Sequence, residues 1–351
     1  MDYNILIYGA NGYTGKLITN EAQSAGIKVE IAGRNKQAIE SLGHKTGFPY
    51  HIIDLTESVK LENLLKKFDT VIHCAGPFSE TAIPMVEACI KSQTNYLDIT
   101  GEIWVFEDII KYHELAKAAG IVLLPGVGFD VVPTDCLAGY LKEKLPDGKS
   151  LELAFVGSKT GMSRGTAVTM AKNISKGGFI RENGKIQNVP LAFEIEELEF
   201  SHRKQWCMTI PWGDLMTSYH QTQIPNIKVF SGASLKMIKK IRKYRTLKFL
   251  LGIGWIQKII RKKIESSVTG PGEENLKSGK TYVLGKISDD KGNSFTAELI
   301  TPEAYFLTAK TAIASALKLK NSDLRGYLTP AQAFGKDFIM EFDKVERIDR
   351  T

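Results

Sequence analysis

A short apolar strand that runs straight into a GxxGxxG turn and leaves it as a helix can belong to few folds. This chain opens that way. Asn4-Ile-Leu-Ile-Tyr8 is the strand, and Gly9-Ala-Asn-Gly12-Tyr-Thr-Gly15 the turn. Residues 16–25 have helical character, and Lys28-Val-Glu-Ile-Ala32 makes a second strand ending at Gly33-Arg34. The order is that of a βαβ unit built to hold a dinucleotide. Gly9 permits the tight turn, Gly12 lets backbone N–H groups approach a diphosphate, and Gly15 allows the helix to pack closely on the strand. The diphosphate is expected on the helix N-terminus, where N–H groups and the macrodipole favour an anion. An NAD site usually carries an acid after the second strand for the ribose 2′-hydroxyl. Here Arg34 stands in that place, suits a 2′-phosphate, and predicts NADP(H).

A chain of 351 residues exceeds what one core usually serves, so two domains are the default. Its apolar and charged fractions, 43% and 24%, are ordinary globular values. No run of about 18 apolar residues occurs, and the first strand begins too early for a leader peptide, so a cytoplasmic protein is expected. Cys74, Cys89, Cys136 and Cys207 have neither CxxC nor metal-ligand spacing, and the six histidines do not cluster. No metal is expected.

Short apolar runs alternate with helical stretches up to about residue 130. Ile52-Ile53 ends at Asp54, Thr70-Val-Ile-His-Cys74 at Ala75-Gly76-Pro77-Phe78, and Tyr96-Leu-Asp98 at Ile99-Thr-Gly-Glu102. Ile121-Val-Leu-Leu124 ends at Pro125-Gly-Val-Gly-Phe-Asp130. That alternation predicts a doubly wound parallel sheet with ligands beyond the carboxyl ends of its strands. A helix near 133–145 follows Pro133. The pattern then changes to longer strands, with a partly alternating one over Ala192–Phe200 and a hairpin of Lys280–Ser288 and Asn293–Ile300 around Asp289-Asp-Lys-Gly292. A helix from Pro302 to about Leu319 comes next. The expected domains are residues 1–130, a nucleotide-binding Rossmann domain, and 131–305, an α/β domain with a mixed, largely antiparallel sheet. Residues 306–351 are expected as helices packing back toward the first domain.

Tyr8–Gly15, Ala32-Gly-Arg-Asn35, Cys74–Phe78, Tyr96–Glu102 and Gly128-Phe-Asp-Val-Val-Pro-Thr-Asp135 together resemble the saccharopine-dehydrogenase-like oxidoreductases, in particular the trans-acting enoyl reductase branch. The resemblance continues through Met162–Thr166, Pro211–Leu215, Ser218–His220 and Thr329–Phe334. It implies a second domain like that of glyceraldehyde-phosphate-type dehydrogenases, with the nicotinamide in the cleft between the two. It also implies that Gly9, Asn11, Gly12, Tyr13, Thr14 and Gly15 hold the diphosphate and Arg34 the 2′-phosphate. Asp54 would lie near the adenine edge, and Ala75, Gly76, Pro77 and Phe78 would line the ribose–nicotinamide region.

Hydride transfer asks little of a protein beyond orientation, dryness and often one proton donor. The candidates are Asp98, Glu102, Asp130, Asp135, Tyr219 and His220. Asp98 and Glu102 could set two carboxylates at the site, or Thr100 and Glu102 could simply cap a helix. Asp130 and Asp135 flank the Pro133 helix and could equally be caps. Ser163-Arg164-Gly-Thr166 could offer N–H groups, a hydroxyl and a guanidinium to an anionic substrate group, or be a capped helix with a surface arginine. Tyr219-His220 is the best proton source by chemistry, and such a pair is also common packing. Cys74 reads as packing. Catalytic candidates are therefore Tyr219, His220, Asp98 and Glu102, with Asp130, Ser163, Arg164 and Thr166 for substrate.

Saccharopine-type substrates carry several carboxylates and call for clustered cations. Arg164, Arg181 and Arg203 are the only arginines between residues 131 and 235, and they are scattered. That weakens amino-acid reduction, although lysines could substitute, and the resemblance to the enoyl reductase branch implies reduction of an activated C=C bond in a hydrophobic, lipid-like substrate. Saccharopine-type C–N chemistry is the alternative, and a non-catalytic NADP(H)-binding membrane-docking protein the third reading.

The segment 234–264 bears on this choice. Lys236 to Lys263 hold eleven lysines and arginines and no acid, while the whole chain is only +7. Met237, Ile238, Ile241, Tyr244, Leu247 and Leu251, then Trp255, Ile256, Ile259, Ile260 and Ile264, recur at helical spacing among these cations. Such a helix either packs on the body with a solvated basic face or lies on an anionic membrane. No base-reading motif accompanies the charge, so nucleic acid is not an expected partner. A hydrophobic small molecule is, with a peripheral membrane location and a homodimer left open.

Overall fold

The structure, a computed structural model, describes residues 3–158, 161–245 and 253–350. It divides into two compact units, one of Met1–Val132 with Tyr305–Phe334 and one of Pro133–Ala304 with Gly335–Thr351.

The first unit alternates strand and helix. The order is β1 (Ile5–Tyr8), α1 (Tyr13–Ser24), β2 (Glu30–Gly33), α2 (Lys36–Thr46), β3 (Tyr50–Ile52), α3 (Ser58–Leu65), β4 (Thr70–His73), α4 (Phe78–Ser92), β5 (Asn95–Asp98), α5 (Ile103–Ile110), α6 (His113–Ala119) and β6 (Val122–Leu124). The chain continues through α7 (Val132–Lys144), β7 (Ser150–Gly157), α8 (Arg164–Asn173), β8 (Gly178–Glu182), β9 (Lys185–Val189), β10 (Ile195–Phe200) and β11 (Arg203–Thr209). Next come α9 (Asp214–Thr222), β12 (Asn226–Gly232), α10 (Leu235–Tyr244), α11 (Gly254–Ser267), α12 (Glu273–Ser278), β13 (Lys280–Ser288) and β14 (Ser294–Pro302). It ends with α13 (Ala304–Leu319), β15 (Gly326–Tyr327), α14 (Pro330–Phe334) and β16 (Glu346–Arg350).

The first sheet is parallel throughout, in the order β15-β6-β5-β4-β1-β2-β3. This is the expected doubly wound architecture. Its strands are apolar at successive positions because both faces are covered. Leu6, Val71, Tyr96 and Leu123 meet Leu61 and Leu65 of α3 with Met85 and Val86 of α4. On the other face Ile7, Ile72, Leu97 and Leu124 meet Ile18 of α1, Ile39 of α2 and Ile313 of α13. Each such buried side chain contributes roughly 1.5–3 kcal/mol. The crossing from β1 to β4 makes β1 the point where strand order reverses, so the glycine turn opens at the sheet's switch point.

The second sheet is mixed, running β10-β11-β12-β7-β13-β14-β16, with β8 joined to β12 and β9. Only β7 and β12 pair in parallel along that path. The hairpin of β13 and β14 closes at Ser288↔Ser294, with Gly292 at φ +87° and the Asp289 carboxylate accepting from the Lys291 and Asn293 N–H groups. The strand expected from Ala192 starts at Ile195, because Ala192 turns the chain at φ +50°.

The last stretch departs from the all-helical expectation. Tyr305–Phe334 belongs to the first unit, where α13 covers one sheet face and β15 adds a seventh strand. Residues 335–351 belong to the second unit, where β16 extends its sheet. β15 is two residues long and β16 (Glu-Arg-Ile-Asp-Arg) has a single apolar residue, so neither shows the pattern by which strands are read. Among the described residues no helix is long and apolar enough to cross a membrane, and no group of His, Cys, Asp and Glu could hold a metal.

Candidate functional site

The carboxyl ends of β1, β2, β4, β5 and β6 gather most of the residues singled out in the sequence. Gly9 sits at φ +79°. A Cβ there would fall 2.7 Å from the Ala75 nitrogen and 2.8 Å from the Ala75 Cβ, so the β1 and β4 turns touch through the missing side chain. A Cβ on Gly15 would stand 2.4 Å from the Gly9 carbonyl oxygen, and one on Gly12 3.3 Å from it. The turn is therefore folded back on the first turn of α1 as tightly as backbone allows. Gly12 caps α1 in an extended conformation without a side-chain hydrogen bond, and no acid lies in the first turn. That leaves a glycine-lined helix start without a side-chain cap, which suits a diphosphate.

Arg34 is exposed and directly follows β2, next to Asn35, whose side chain accepts from the Ala38 N–H to start α2. Asn11 Oδ1 lies against Gly33, 3.0 Å from where a Cβ would be. Asp54 ends the β3 connection. Its Oδ1 accepts from the Thr56 N–H (2.9 Å) and hydroxyl (2.8 Å). Those two bonds hold its carboxyl below the usual carboxylate pKa, and the positive charge of Arg34 adds a smaller push the same way. Tyr8 lies beneath, donating to the Ile53 carbonyl at 3.1 Å; burial, and next the Asp54 charge, push its phenol up to about 12. Arg34 and Asp54 thus share one rim of the turn.

The second rim is Ala75–Phe78, with a cis Gly76–Pro77 bond. The Thr81 hydroxyl lies 2.6 Å from the Ala75 carbonyl and 3.2 Å from that of Pro77. His73 Nε2 meets the same hydroxyl at 3.0 Å. Burial pushes the His73 imidazole down to about 3, so it is neutral and serves as structure. Glu102, 5% exposed, accepts the Phe78 N–H at 2.9 Å. A carboxylate at the start of α4 is favoured by that helix's dipole. Glu102 thus caps a helix, but α4 rather than its own.

Asp98 is wholly buried and accepts three hydrogen bonds, from the Tyr96 hydroxyl (2.6 Å), the Thr100 N–H (3.0 Å) and the Gly126 N–H (2.8 Å). Burial outweighs these bonds and raises its carboxyl to about 6. Asp130 closes the group, its carboxylate lying against Gly101, while the neighbouring Phe129 N–H donates to Thr308 Oγ1 of α13 at 2.9 Å. Cys74 is held as a neutral thiol by burial and by the Asp98 charge.

The remaining candidates lie in the second unit. Ser163 caps α8, with its Oγ accepting from the Thr166 N–H (3.1 Å) and meeting the Thr166 hydroxyl at 3.0 Å. Arg164 is exposed, and its Nε donates to the Val268 carbonyl at 3.4 Å. Ser163→Ala should therefore cost about 1 kcal/mol in urea-induced unfolding, the usual worth of an N-cap. Tyr219 and His220 lie on α9. The Arg181 guanidinium stacks on the Tyr219 ring, 4.0 Å from its centroid.

Arg181, read in sequence as one scattered cation, is 5% exposed and donates to the Leu215 (2.7 Å) and Gly184 (2.6 Å) carbonyls. It holds α9 in place. Thr81, Thr308 and Arg181 were not recognisable as supports. Thr81 alone left a trace, one helical turn after Pro77; Thr308 acts on Phe129 and Arg181 on Leu215, both distant in sequence.

Residues 5–124 match the sequence model of the saccharopine dehydrogenase NADP binding domain. The chain is 25% identical to a mouse saccharopine dehydrogenase-like oxidoreductase, over 69% of this chain and 59% of that protein. It is 27% identical to a trans-acting enoyl reductase of Mycobacterium ulcerans, over 44% of this chain and 38% of that one. The chain thus spans less than two thirds of the length of these relatives. In three dimensions it is similar to yeast saccharopine dehydrogenase (L-Glu forming), with a TM-score of 0.69 at 14% identity, covering 99% of this chain and 100% of the other. That likeness is one of fold.

Proposed function

We propose that this chain, of which residues 5–124 match the saccharopine dehydrogenase NADP binding domain, is an NADP(H)-dependent oxidoreductase of the saccharopine dehydrogenase-like kind that reduces an activated C=C bond of a hydrophobic, lipid-like substrate. The observation that carries the reading is the uncapped start of α1, moulded by Gly9, Gly12 and Gly15, with exposed Arg34 beside it. When bound, the cofactor supplies a hydride. The glycine turn holds the diphosphate, Arg34 the 2′-phosphate, and Ala75–Phe78 the ribose–nicotinamide side.

Asp98 and Glu102 act here as positioning groups, since their carboxylates already accept backbone N–H groups of the turns around the cofactor region. The proton is assigned to Tyr219 or His220. Asp130 and the Ser163–Thr166 helix start remain the substrate candidates. A hydrophobic substrate is supported by the state of the cations in the second unit. Arg181 is committed to backbone carbonyls and Arg164 reaches a carbonyl of its own chain, so these two arginines do not form the cation cluster that a substrate of several carboxylates calls for. The same scarcity counts against C–N reduction of an amino-acid adduct, the second reading.

Fluorescence titration with NADPH and NADH tests the cofactor site. Arg34→Ala should weaken NADPH by about tenfold or more, the worth of one hydrogen-bonded charge pair, and leave NADH nearly unchanged. Equal losses for both cofactors would remove the basis for the 2′-phosphate assignment. Turnover of a saccharopine-type adduct in preference to enoyl thioesters would favour the second reading.

A further inference from the structure

The basic segment is divided by the fold in a way neither sequence reading foresaw. Leu247, Leu251, Lys248 and part of the apolar run beginning at Phe249 lie outside the described residues. On either side of them stand two helices, and each uses only part of its apolar surface for packing. In α10, which starts at the Ser234 cap, Ile238 is fully buried, while Met237 and Tyr244 are each 50% exposed. In α11, Ile256, Ile260 and Ile264 are partly buried on the side that packs on α8, where Gln257 Nε2 donates to the Ala171 carbonyl at 3.1 Å. Trp255 and Ile259, one turn apart, are 64% and 58% exposed.

Helical spacing puts Lys258 and Lys262 on the same strip as Trp255 and Ile259, and both lysines are exposed. The strip is therefore apolar and cationic at once. Of the exposed large apolar side chains among the described residues, five (Met237, Tyr244, Ile253, Trp255 and Ile259) fall in this one segment, so the exposure is concentrated and not scattered.

We infer that the outward strip of α11, seconded by α10, docks the protein on the surface of an anionic phospholipid bilayer. Three features select this occupant. The eleven cations without an acid complement phosphatidylserine-like headgroups. An indole and an isoleucine between lysines serve no purpose against a phosphate backbone, but belong at the boundary between headgroups and acyl chains. A second copy of the same strip would bring like charge to like charge and be repelled. The helix lies on the bilayer and does not cross it, since no described helix is long and apolar enough to span one. The inference is independent of which double or imine bond the enzyme reduces. It brings the protein to the phase where a lipid-like substrate resides.

Cosedimentation of the full chain with vesicles tests it, using phosphatidylcholine alone and phosphatidylcholine mixed with phosphatidylserine. Binding to the mixed vesicles is expected, at least about tenfold stronger than to the neutral ones and weakened by salt. Trp255→Ala with Ile259→Ala, and separately Lys258→Glu with Lys262→Glu, should each weaken it by about tenfold or more. Far-UV circular dichroism and the urea unfolding midpoint, which read both units, should be unchanged and show that the variants are folded. Trp255→Phe should retain most binding. Equal binding to both vesicle types, no binding, or indifference to both double variants would overturn the inference. So would a self-association abolished by the Trp255 and Ile259 changes, or capture of single-stranded DNA that displaces the vesicles.

Discussion

Gly9→Ala is expected to destabilise the first unit by roughly 2–5 kcal/mol and to take NADPH binding with it. Two costs combine at this position. A side chain held at φ +79° pays about 1–2 kcal/mol for the left-handed conformation. The new methyl also overlaps the Ala75 nitrogen, Cα and Cβ, all within 2.9 Å, where forced overpacking costs about 1–3 kcal/mol. Backbone on both sides leaves no flexible side chain to yield. Two further glycines separate the terms. Gly47, at φ +75° with nothing within 4 Å of its Cβ direction, carries only the conformational cost. Gly15, helical, carries only the clash, with the Gly9 carbonyl oxygen at 2.4 Å. Calorimetric melting of the three alanine variants should rank Gly9 as the most damaged. NADPH affinity should fall for Gly9 and Gly15 and stay intact for Gly47. A Gly9 variant as stable as the Gly47 variant would mean that the two turns are not in contact.

That close approach explains why the first unit was so legible. Each glycine of the turn has a local reason to be glycine, and the strands around it carry apolar residues toward both faces because both faces are covered. The alternation of strand and helix could be read run by run up to Asp130. What escaped was non-local. β15 is two residues long and owes its place to the Ile121 and Leu123 carbonyls, which accept its flanking N–H groups. β16 has one apolar residue and is fixed by pairing with β14 and by the Arg350 bond to buried Glu298 at 3.0 Å. The site behaved alike. The residues assigned to the cofactor are local motifs that one sequence displays. Those that hold the motifs in place, such as Thr81, Thr308 and Arg181, are defined by partners far along the chain or by single hydroxyls, and one sequence does not advertise them. Segment 234–264 was read as either packed or lipid-facing, and its described helices bury some of their apolar residues and leave others exposed.

Asp98 links that scaffold to pH. Its carboxyl is raised to about 6, first by burial, with Glu102 adding to the rise, and three donated hydrogen bonds oppose it. A raised value means that the folded protein binds this proton more tightly than the unfolded chain, whose aspartate titrates near 3.9. The associated stability is fully present below about pH 4. It declines as pH rises toward about 6 and is absent above. The rise from about 3.9 to about 6 corresponds to about 3 kcal/mol for this buried group.

Asp98→Asn keeps an oxygen for the Thr100 and Gly126 N–H groups and presents an amide toward Tyr96, whose hydroxyl can turn to accept. It removes the charge. Its stability relative to wild type should therefore improve between pH 4 and pH 7.5 by up to about 3 kcal/mol in urea unfolding. Asp98→Ala strands all three donors in a buried place. At about 1–3 kcal/mol each, it should be the more damaging change at every pH. Parallel stability curves for wild type and Asp98→Asn would show that the carboxyl is not perturbed. The same pair of variants separates scaffold from chemistry. If Asp98 only holds the β5 and β6 turns together, Asp98→Asn turns over substrate near the wild-type rate, and its pH profile loses no limb. If Asp98 delivers the proton, Asp98→Asn is folded, binds NADPH and is inactive, and the proton source moves from Tyr219 or His220 to the first unit.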